Sequence, residues 1–277
     1  MAEKPYLSPT SLSMFTDCGL RYFFRYVEGR KVPPGVAMVK GSAVHKGAEL
    51  NFKQKKHTRK DLPRRQIVDA SAADFEKRAQ LEGVSLSDDE AAKGKKAVMG
   101  EALDSTVRMA ELYADDVAPC YQPVLVEEKQ RITVPESTHD LLAVLDLADD
   151  KDRILEIKTG AKKKPQAAWD ASLQLTTQSM TFQATTGRPP KEIIVEQIVD
   201  KATPEVVRFN TTRTAQDYRA LIDRYTRVVE AINKGVFIPA APEWWGCSPR
   251  FCGYWTICPA VNSERKAAAE LKDAGRL

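Results

Sequence analysis

Long apolar runs are missing from this 277-residue sequence. No stretch approaches the roughly 20 apolar residues that a membrane-spanning helix needs, and the opening residues, MAEKPYLSPTS, lack the apolar segment of a signal peptide. A Gly-x-x-x-x-Gly-Lys-Ser/Thr phosphate loop is also missing, which argues against the helicases and other ATPases that depend on it. We therefore expect a cytoplasmic protein that has no membrane partner and no ATP-driven motor.

A strong net charge is missing as well. The 42 Lys and Arg residues face 38 Asp and Glu residues, so the formal net charge is only +4 at pH 7. This balance permits a nucleic-acid partner without requiring one. Because 43% of the residues are hydrophobic, the chain can bury a substantial core, as one large domain or two small ones.

Cysteine is scarce but unevenly placed. Three of the five cysteines lie in the segment CSPRFCGYWTICP, at Cys247, Cys252 and Cys258, while Cys18 lies near the other end of the chain. Disulfides are rare in a reducing cytoplasm, and an odd count fits four metal ligands and one bystander, Cys120, better than paired bridges. Four thiolates suit either Zn²⁺ or an iron–sulfur cluster.

The ends of the chain carry helical patterns. Residues 8–29 repeat apolar side chains at helical spacing after a Ser-Pro start, and a second helix is expected from near Gly41 through His45. Residues 63–118 are rich in Ala, Glu and Lys. A capping box at Ser87 and Glu90 predicts that a long helix begins there and ends before Pro119.

The middle of the chain alternates between strands and helices. Five strands are expected, and helices ending near Gly187 and beginning at Thr214 follow the third and fifth of them. This order predicts an α/β fold in which a central mixed sheet is flanked by helices. The predicted strands cover 123–134, 140–149, 153–159, 192–199 and 205–210.

The stretch AVLDLADDKDRILEIKTG contains the most informative charges. Glu156 and Lys158 are two apart in one strand and therefore share a face, and antiparallel pairing with the preceding strand brings Asp146 beside them. Two carboxylates and an ammonium on one sheet face suit a site for Mg²⁺ or Mn²⁺. A solvated hairpin of alternating charge is the alternative interpretation. His45 is a candidate third ligand, since imidazole suits Mn²⁺.

In this order, the motifs resemble those of the PD-(D/E)XK nuclease superfamily, in particular its RecB-like branch. The helix SPTSLSMFTDCGLRYFFRY, Gly41-x-x-x-His45, Asp146, the Glu-Ile-Lys of 156–158 and QLTTQ from Gln174 correspond to successive motifs of that branch. Two positions depart from the pattern: Gln178 stands where the family usually carries Tyr, and Ala143 replaces the usual Gly before the motif Asp.

The resemblance implies a single nuclease domain over 1–277, in a bacterial, archaeal or phage-infected cell. Its parts would be an N-terminal helical part with the first cysteine ligand, a helical insertion that matches nothing in the family, a nuclease core, and a cysteine-rich segment with a tail. These parts cover 1–60, 61–118, 119–235 and 236–277.

The implied activity is that of a metal-dependent deoxyribonuclease, an exonuclease acting on single-stranded DNA or DNA ends. His45, Asp146, Glu156 and the carbonyl of Ile157 would bind Mg²⁺ or Mn²⁺, with Lys158 placing the attacking water. Gln174 belongs to the catalytic set. A non-cleaving DNA-end-binding or adaptor module and a zinc-stapled structural protein are the alternatives.

The resemblance also bears on the cysteines. Members of this branch, such as the AddB nuclease domain and CRISPR-associated adaptation exonucleases, ligate a 4Fe-4S cluster with one Cys before the core and three after it. The corresponding residues here are Cys18, Cys247, Cys252 and Cys258. Zinc sites are usually built from two close pairs of ligands, so one distant Cys and a Cys-x₄-Cys-x₅-Cys run favours the cluster.

DNA contacts are expected mainly from basic residues. Arg21 and Arg25 lie four apart on the first helix, and Lys162 and Lys163 follow the strand of Glu156. Gln178 is a further candidate because the Tyr of the family motif is expected to contact DNA. A helicase, or another recombination or adaptation protein, is the expected protein partner, since strand separation needs a motor that this chain lacks.

Overall fold

The computed structural model describes residues 4–263 and 265–266, so most of the charged tail expected at the C-terminus lies outside the described residues. A six-stranded mixed sheet forms the centre. The strands are β1 Tyr6–Leu7, β2 Pro123–Ile132, β3 Asp140–Asp149, β4 Arg153–Gly160, β5 Glu192–Val199 and β6 Glu205–Thr211. Strand β3 pairs in parallel with β1 and antiparallel with β2 and β4, β4 pairs in parallel with β5, and β5 pairs antiparallel with β6.

All five predicted strands are present, so the predicted α/β class with a mixed sheet and flanking helices is confirmed. The short strand β1 was not predicted, because two residues are too few to show an alternating pattern. The helices are α1 Pro9–Asp17, α2 Gly19–Tyr22, α3 Val36–Thr58, α4 Arg64–Leu81, α5 Asp88–Lys93, α6 Lys95–Leu112, α7 Gln166–Asp170, α8 Leu173–Thr186 and α9 Ala215–Asn233.

Helices cover both faces of the sheet. On one face α3, α4 and α6 pack through Phe52, Ile67 and Met109 against Ile157 and Ile198 of the sheet. On the other face α7 and α8 pack through Trp169, Leu175 and Phe182, as part of a second buried cluster. The region 61–118, expected as an insertion, therefore contributes to the main core.

The predicted helix over 8–29 is interrupted at Cys18. This residue is extended, with φ −161° and ψ 108°, and separates α1 from α2. The cause is a tight contact with the C-terminal segment: Gly19 N–H donates to the carbonyl of Ile238 at 2.7 Å. A Cβ at Gly19 would lie 2.6 Å from the Ile238 nitrogen, so only glycine permits this approach.

Two other helix boundaries differ from prediction. Helix α3 begins at Val36, earlier than the expected start near Gly41. Gly41 therefore lies inside the helix, where its lack of a side chain is needed for packing. The capping box of Ser87 and Glu90 is present, but it begins the six-residue helix α5. Gly94, with φ +89°, then separates α5 from α6.

The C-terminal segment packs against the N-terminal region. Tyr254 Oη donates to the carbonyl of Arg30 at 2.8 Å, and Gly253 lies against Val32. These contacts bring the three late cysteines to the end of the molecule that holds Cys18. Among the described helices, none is long and apolar enough to cross a membrane.

Candidate active site

Strands β3 and β4 separate next to the acidic residues. Their ladder consists of the pairs Leu147 with Leu155 and Ala148 with Ile154. Beyond these pairs, the Ile157 N–H donates to Oδ2 of Asp146 at 2.9 Å. The antiparallel pairing expected to bring Asp146 to Glu156 and Lys158 is therefore present, and the carboxylate lies in the fork between the strands.

Glu156 and Lys158 share a face of β4, as the two-residue period predicts. Lys158 Nζ lies 2.6 Å from Glu156 Oε1, and the Glu156 side chain is only 1% exposed. This face points toward α8, whose first turn carries Gln174. Gln174 Nε2 donates to Glu156 Oε1 at 2.6 Å, and Gln174 Oε1 accepts from Lys158 Nζ at 2.9 Å. The three side chains form one hydrogen-bonded group.

Gln178, one turn further along α8, joins the same group. Its Nε2 donates to Glu156 Oε2 at 2.6 Å and to the carbonyl of Val144 at 2.9 Å. Gln178 is fully buried. The DNA contact considered for this residue is thus replaced by a contact with Glu156, because no part of its side chain reaches the surface.

His45 reaches the site from α3. Its Nδ1 lies 3.5 Å from Asp146 Oδ2. The approach depends on Gly41, one helical turn earlier, where a Cβ would lie 2.7 Å from Oγ1 of Thr159 on β4. The Gly-x-x-x-His spacing therefore has a physical reason: the glycine lets α3 lie close to β4, and the histidine one turn later meets the acidic fork.

Glu127 is a site residue that the sequence reading missed. The pairs Val126 with Leu147 and Glu128 with Leu145 put Glu127 opposite Asp146. Its backbone is left-handed, with φ +51°, which is uncommon for a residue other than glycine. Ligand atoms of His45, Glu127 and Asp146 all lie within 4.8 Å of one another. The sequence signal for Glu127 is a pair of consecutive glutamates, Glu127 and Glu128, inside an alternating strand.

The carboxylates lie in an environment that disfavours their negative charge. Burial, together with the Glu156 carboxylate, raises the pKa of Asp146 to about 6. Burial and the charge of Asp146 raise the pKa of Glu127 to about 7. Burial would lower the pKa of Lys158, but Glu156 and Asp146 outweigh this effect and raise it. The site therefore holds a permanent ammonium and excess acidic groups that a cation would stabilise.

The donor set fits a divalent metal ion. His45, Glu127 and Asp146 offer one imidazole nitrogen and carboxylate oxygens, which suits Mn²⁺ and, through the oxygens, Mg²⁺. Glu156 lies beside this group, with both carboxylate oxygens already accepting hydrogen bonds. Its role as a ligand, and that of the Ile157 carbonyl, stay predictions.

The predicted basic DNA contacts are spread over two regions. Arg21 borders a cleft that reaches Gln174, whereas Arg25 is exposed with its guanidinium 5.8 Å from the ring of Tyr26. Lys162 and Lys163 are exposed beyond β4. Gln197 Nε2 donates to the carbonyl of Lys162 at 2.8 Å, and Lys163 Nζ lies 5.5 Å from the centre of the Phe209 ring.

The four cysteines expected to act together line one enclosed, largely apolar cavity with Trp244 and Trp255. The N–H of Ala240 donates to Cys18 Sγ at 3.3 Å. No three of these sulfurs lie within 4.8 Å of one another, so they are not gathered around a point. Cys120 is exposed elsewhere, where its Sγ lies 3.3 Å from the carbonyl of Asp116. The cysteines that line the cavity are Cys18, Cys247, Cys252 and Cys258.

Comparison with known proteins gives one family. Residues 6–259 match the family model described as the PD-(D/E)XK nuclease superfamily. The structure is similar to that of a candidate exonuclease from Eubacterium rectale, with a TM-score of 0.59 at 12% identity over 94% of this chain and 90% of that chain. The structure SSO0001 is 14% identical over 95% of this chain and 90% of its own, but its TM-score is only 0.40. A comparison with curated proteins gave no match.

Proposed function

Since the chain belongs to the PD-(D/E)XK nuclease superfamily, we propose that it is a divalent-metal-dependent deoxyribonuclease of the RecB-like branch. Its substrate is single-stranded DNA or DNA ends, which it shortens as an exonuclease. The observation that carries the proposal is the hydrogen-bonded fork in which Asp146, Glu156 and Lys158 meet. The exonuclease description of the neighbour from Eubacterium rectale supports the mode of cleavage.

The metal would be held by His45, Glu127, Asp146 and Glu156, with the Ile157 carbonyl as a further oxygen donor. The raised pKa values of Asp146 and Glu127 support this assignment, because like charges in a poorly solvated fork favour a bound cation. When bound, Mg²⁺ or Mn²⁺ supplies Lewis-acid polarisation of the phosphodiester and lowers the pKa of water.

Lys158 acts as a positioned cation. Its pKa is raised, so the ammonium is present at neutral pH and can stabilise negative charge that develops on the scissile phosphate. Hydrogen bonds to Glu156 and Gln174 hold Nζ at the carboxylate. Gln174 is half-exposed at the border of the cleft, so it can meet the substrate as well as orient Lys158.

The four cysteines of the enclosed cavity would bind a 4Fe-4S cluster with a structural role. These cysteines come from the two ends of the chain and still line one cavity, and this convergence supports a shared inorganic group. Ligation would tie Cys18 to the C-terminal segment, so binding of the cluster would stabilise the fold.

Cleavage of labelled DNA tests the enzymatic proposal against a non-cleaving adaptor. The purified protein is incubated with a single strand labelled along its whole length, with EDTA, Mg²⁺ or Mn²⁺. We expect progressive shortening with either metal and none with EDTA. A circular single strand of the same sequence is the control for the exonuclease mode, and its survival is expected. A protein that binds the strand and leaves it intact with both metals is an adaptor, and the proposal is then wrong.

A further inference from the structure

Strands β3 and β4 separate at the fork that holds Asp146, and no ladder pair of the described residues spans this opening. No ladder pair joins Val144, Leu145 or Asp146 to β4 in the described part of the chain, since the pairing stops at Leu147. The metal ligands proposed on the two strands therefore have no ladder pair between them. One bond across the opening is that from Ile157 N–H to Asp146.

A second connection comes from Gln178 on α8. The two N–H groups of its amide reach Val144 on β3 and Glu156 on β4, at 2.9 and 2.6 Å. Both partners are oxygens that only accept, a carbonyl and a carboxylate, so the amide nitrogen must face them. A tyrosine, which the family usually carries here, has one hydroxyl hydrogen and cannot donate to both.

We propose that Gln178 is a positioning residue that closes the opening between β3 and β4 and fixes the Glu156 carboxylate for metal binding. The inference rests on the proposed function, in which Glu156 is a metal ligand. With Oε1 held by Gln174 and Oε2 held by Gln178, rotation of the Glu156 carboxylate is blocked from both sides. Partners of this kind commonly tune metal affinity or activity about 10–100-fold.

A purely stabilising role fits the burial of Gln178 less well. Its Oε1 is buried and has no hydrogen-bond partner among the described residues. An unpartnered buried oxygen is unfavourable because it has given up its hydrogen bonds to water. An apolar side chain at this position would avoid that cost, although it would lose both donated hydrogen bonds. The amide of Gln178 is explained by the two groups that its nitrogen holds in place, the Val144 carbonyl and the Glu156 carboxylate.

The test compares Gln178→Leu with Thr177→Val. Thr177 is equally buried on the same helix, and its hydroxyl donates only to the carbonyl of Leu173, so the control removes a buried polar group without touching Glu156. Calorimetric titration of Mn²⁺ should give a dissociation constant about 10–100-fold higher for Gln178→Leu and within about twofold of wild type for Thr177→Val.

A double-mutant cycle separates positioning from general loss of structure. In a Glu156→Ala background Gln178 has lost its acceptor on β4, so adding Gln178→Leu should change the Mn²⁺ dissociation constant less than about twofold. An equal loss of affinity in both backgrounds overturns the positioning role. If Gln178→Leu does not fold, Gln178→Asn replaces it, because the shorter amide cannot span both acceptors.

Hydrogen exchange gives a readout that needs no metal. If Gln178 closes the opening, the Ile157 amide should exchange about tenfold or more faster in the metal-free Gln178→Leu variant. Unchanged exchange together with unchanged Mn²⁺ affinity overturns the inference. A wild-type protein that neither binds Mn²⁺ nor cleaves DNA overturns the proposed function instead, and faster exchange would still support Gln178 as the closing residue.

Discussion

The backbone N–H of Ile157 donates to the carboxylate of Asp146 at 2.9 Å, across the point where two antiparallel strands separate. A side chain thus takes the place of a strand carbonyl as the acceptor. This bond fixes the orientation of Asp146, whose carboxylate also lies close to His45 and Glu127. The same fork receives His45 from one face of the sheet and the glutamines of α8 from the other.

Asp146→Asn should separate catalysis from folding. The amide oxygen of Asn can still accept from Ile157, and removal of a charge whose pKa is raised to about 6 relieves an unfavourable burial. We expect DNA cleavage to fall by roughly 100-fold or more, while the melting temperature of the metal-free protein stays the same or rises. Asp150→Asn, at an exposed turn, is the control and should retain activity. Normal cleavage by Asp146→Asn contradicts the site assignment.

Glu127 and Glu128 provide a matched pair of neighbouring carboxylates. Glu127 faces Asp146, whereas Glu128 forms a surface ion pair with Lys56 at 3.7 Å. Glu127→Gln should weaken Mn²⁺ binding by about 10–100-fold, and Glu128→Gln should leave it unchanged within about twofold. Isothermal titration measures both constants. Equal affinities for the two variants would remove Glu127 from the site.

Much of the site follows from local patterns in the sequence. A two-residue period puts Glu156 and Lys158 on one face of β4, and a short turn between neighbouring strands brings Asp146 beside them. His45 is recognisable by its spacing from Gly41. These relations are set within a strand, a hairpin or one helical turn, so the sequence alone predicts them.

Other features depend on contacts between distant segments. Glu127 enters the site through its left-handed backbone and its register with β3, neither of which a strand pattern encodes. The break at Cys18 exists because Ile238, far along the chain, approaches Gly19. Gly41 looks like a helix start in the sequence, but packing against Thr159 puts it inside α3.

Lys158→Ala should lower turnover without preventing assembly of the site. The ammonium is proposed to stabilise charge on the scissile phosphate, so kcat should fall roughly 100- to 1,000-fold. The dissociation constants for DNA and Mn²⁺ should change little, and fluorescence anisotropy and calorimetry measure them separately. Lys77→Ala, at an exposed position on α4, serves as the control. A Lys158 variant whose whole defect is weaker Mn²⁺ binding contradicts this role.

Asp200 should contribute to stability in a pH-dependent way. Burial would raise the pKa of Asp200, but hydrogen bonds from Lys40 and Ser105 outweigh this effect and lower it. Because the folded pKa is lowered, the contribution is complete above the unfolded pKa of about 4 and is lost as pH falls through the folded pKa.

Asp200→Asn should therefore lower the melting temperature at pH 7, on the order of 2–6 °C, and by less than this below pH 3. Asp223 also has a lowered pKa, but it is exposed and pairs with Arg227 on the surface of α9. Asp223→Asn should change the melting temperature by no more than about 1 °C at either pH. Thermal unfolding followed by circular dichroism at both pH values measures this difference. A pH-independent loss in Asp200→Asn contradicts the argument.

Cysteines that line the cavity can be compared with a cysteine that lies outside it. Cys18 and Cys258 line it from opposite ends of the chain, whereas Cys120 is exposed elsewhere. If a 4Fe-4S cluster ties the ends together, Cys18→Ser or Cys258→Ser should remove the brown colour, lower the melting temperature by many degrees and reduce cleavage indirectly. Cys120→Ser should do none of this. Metal analysis supplies the count: about four irons per chain supports the cluster, whereas one zinc and no iron contradicts it.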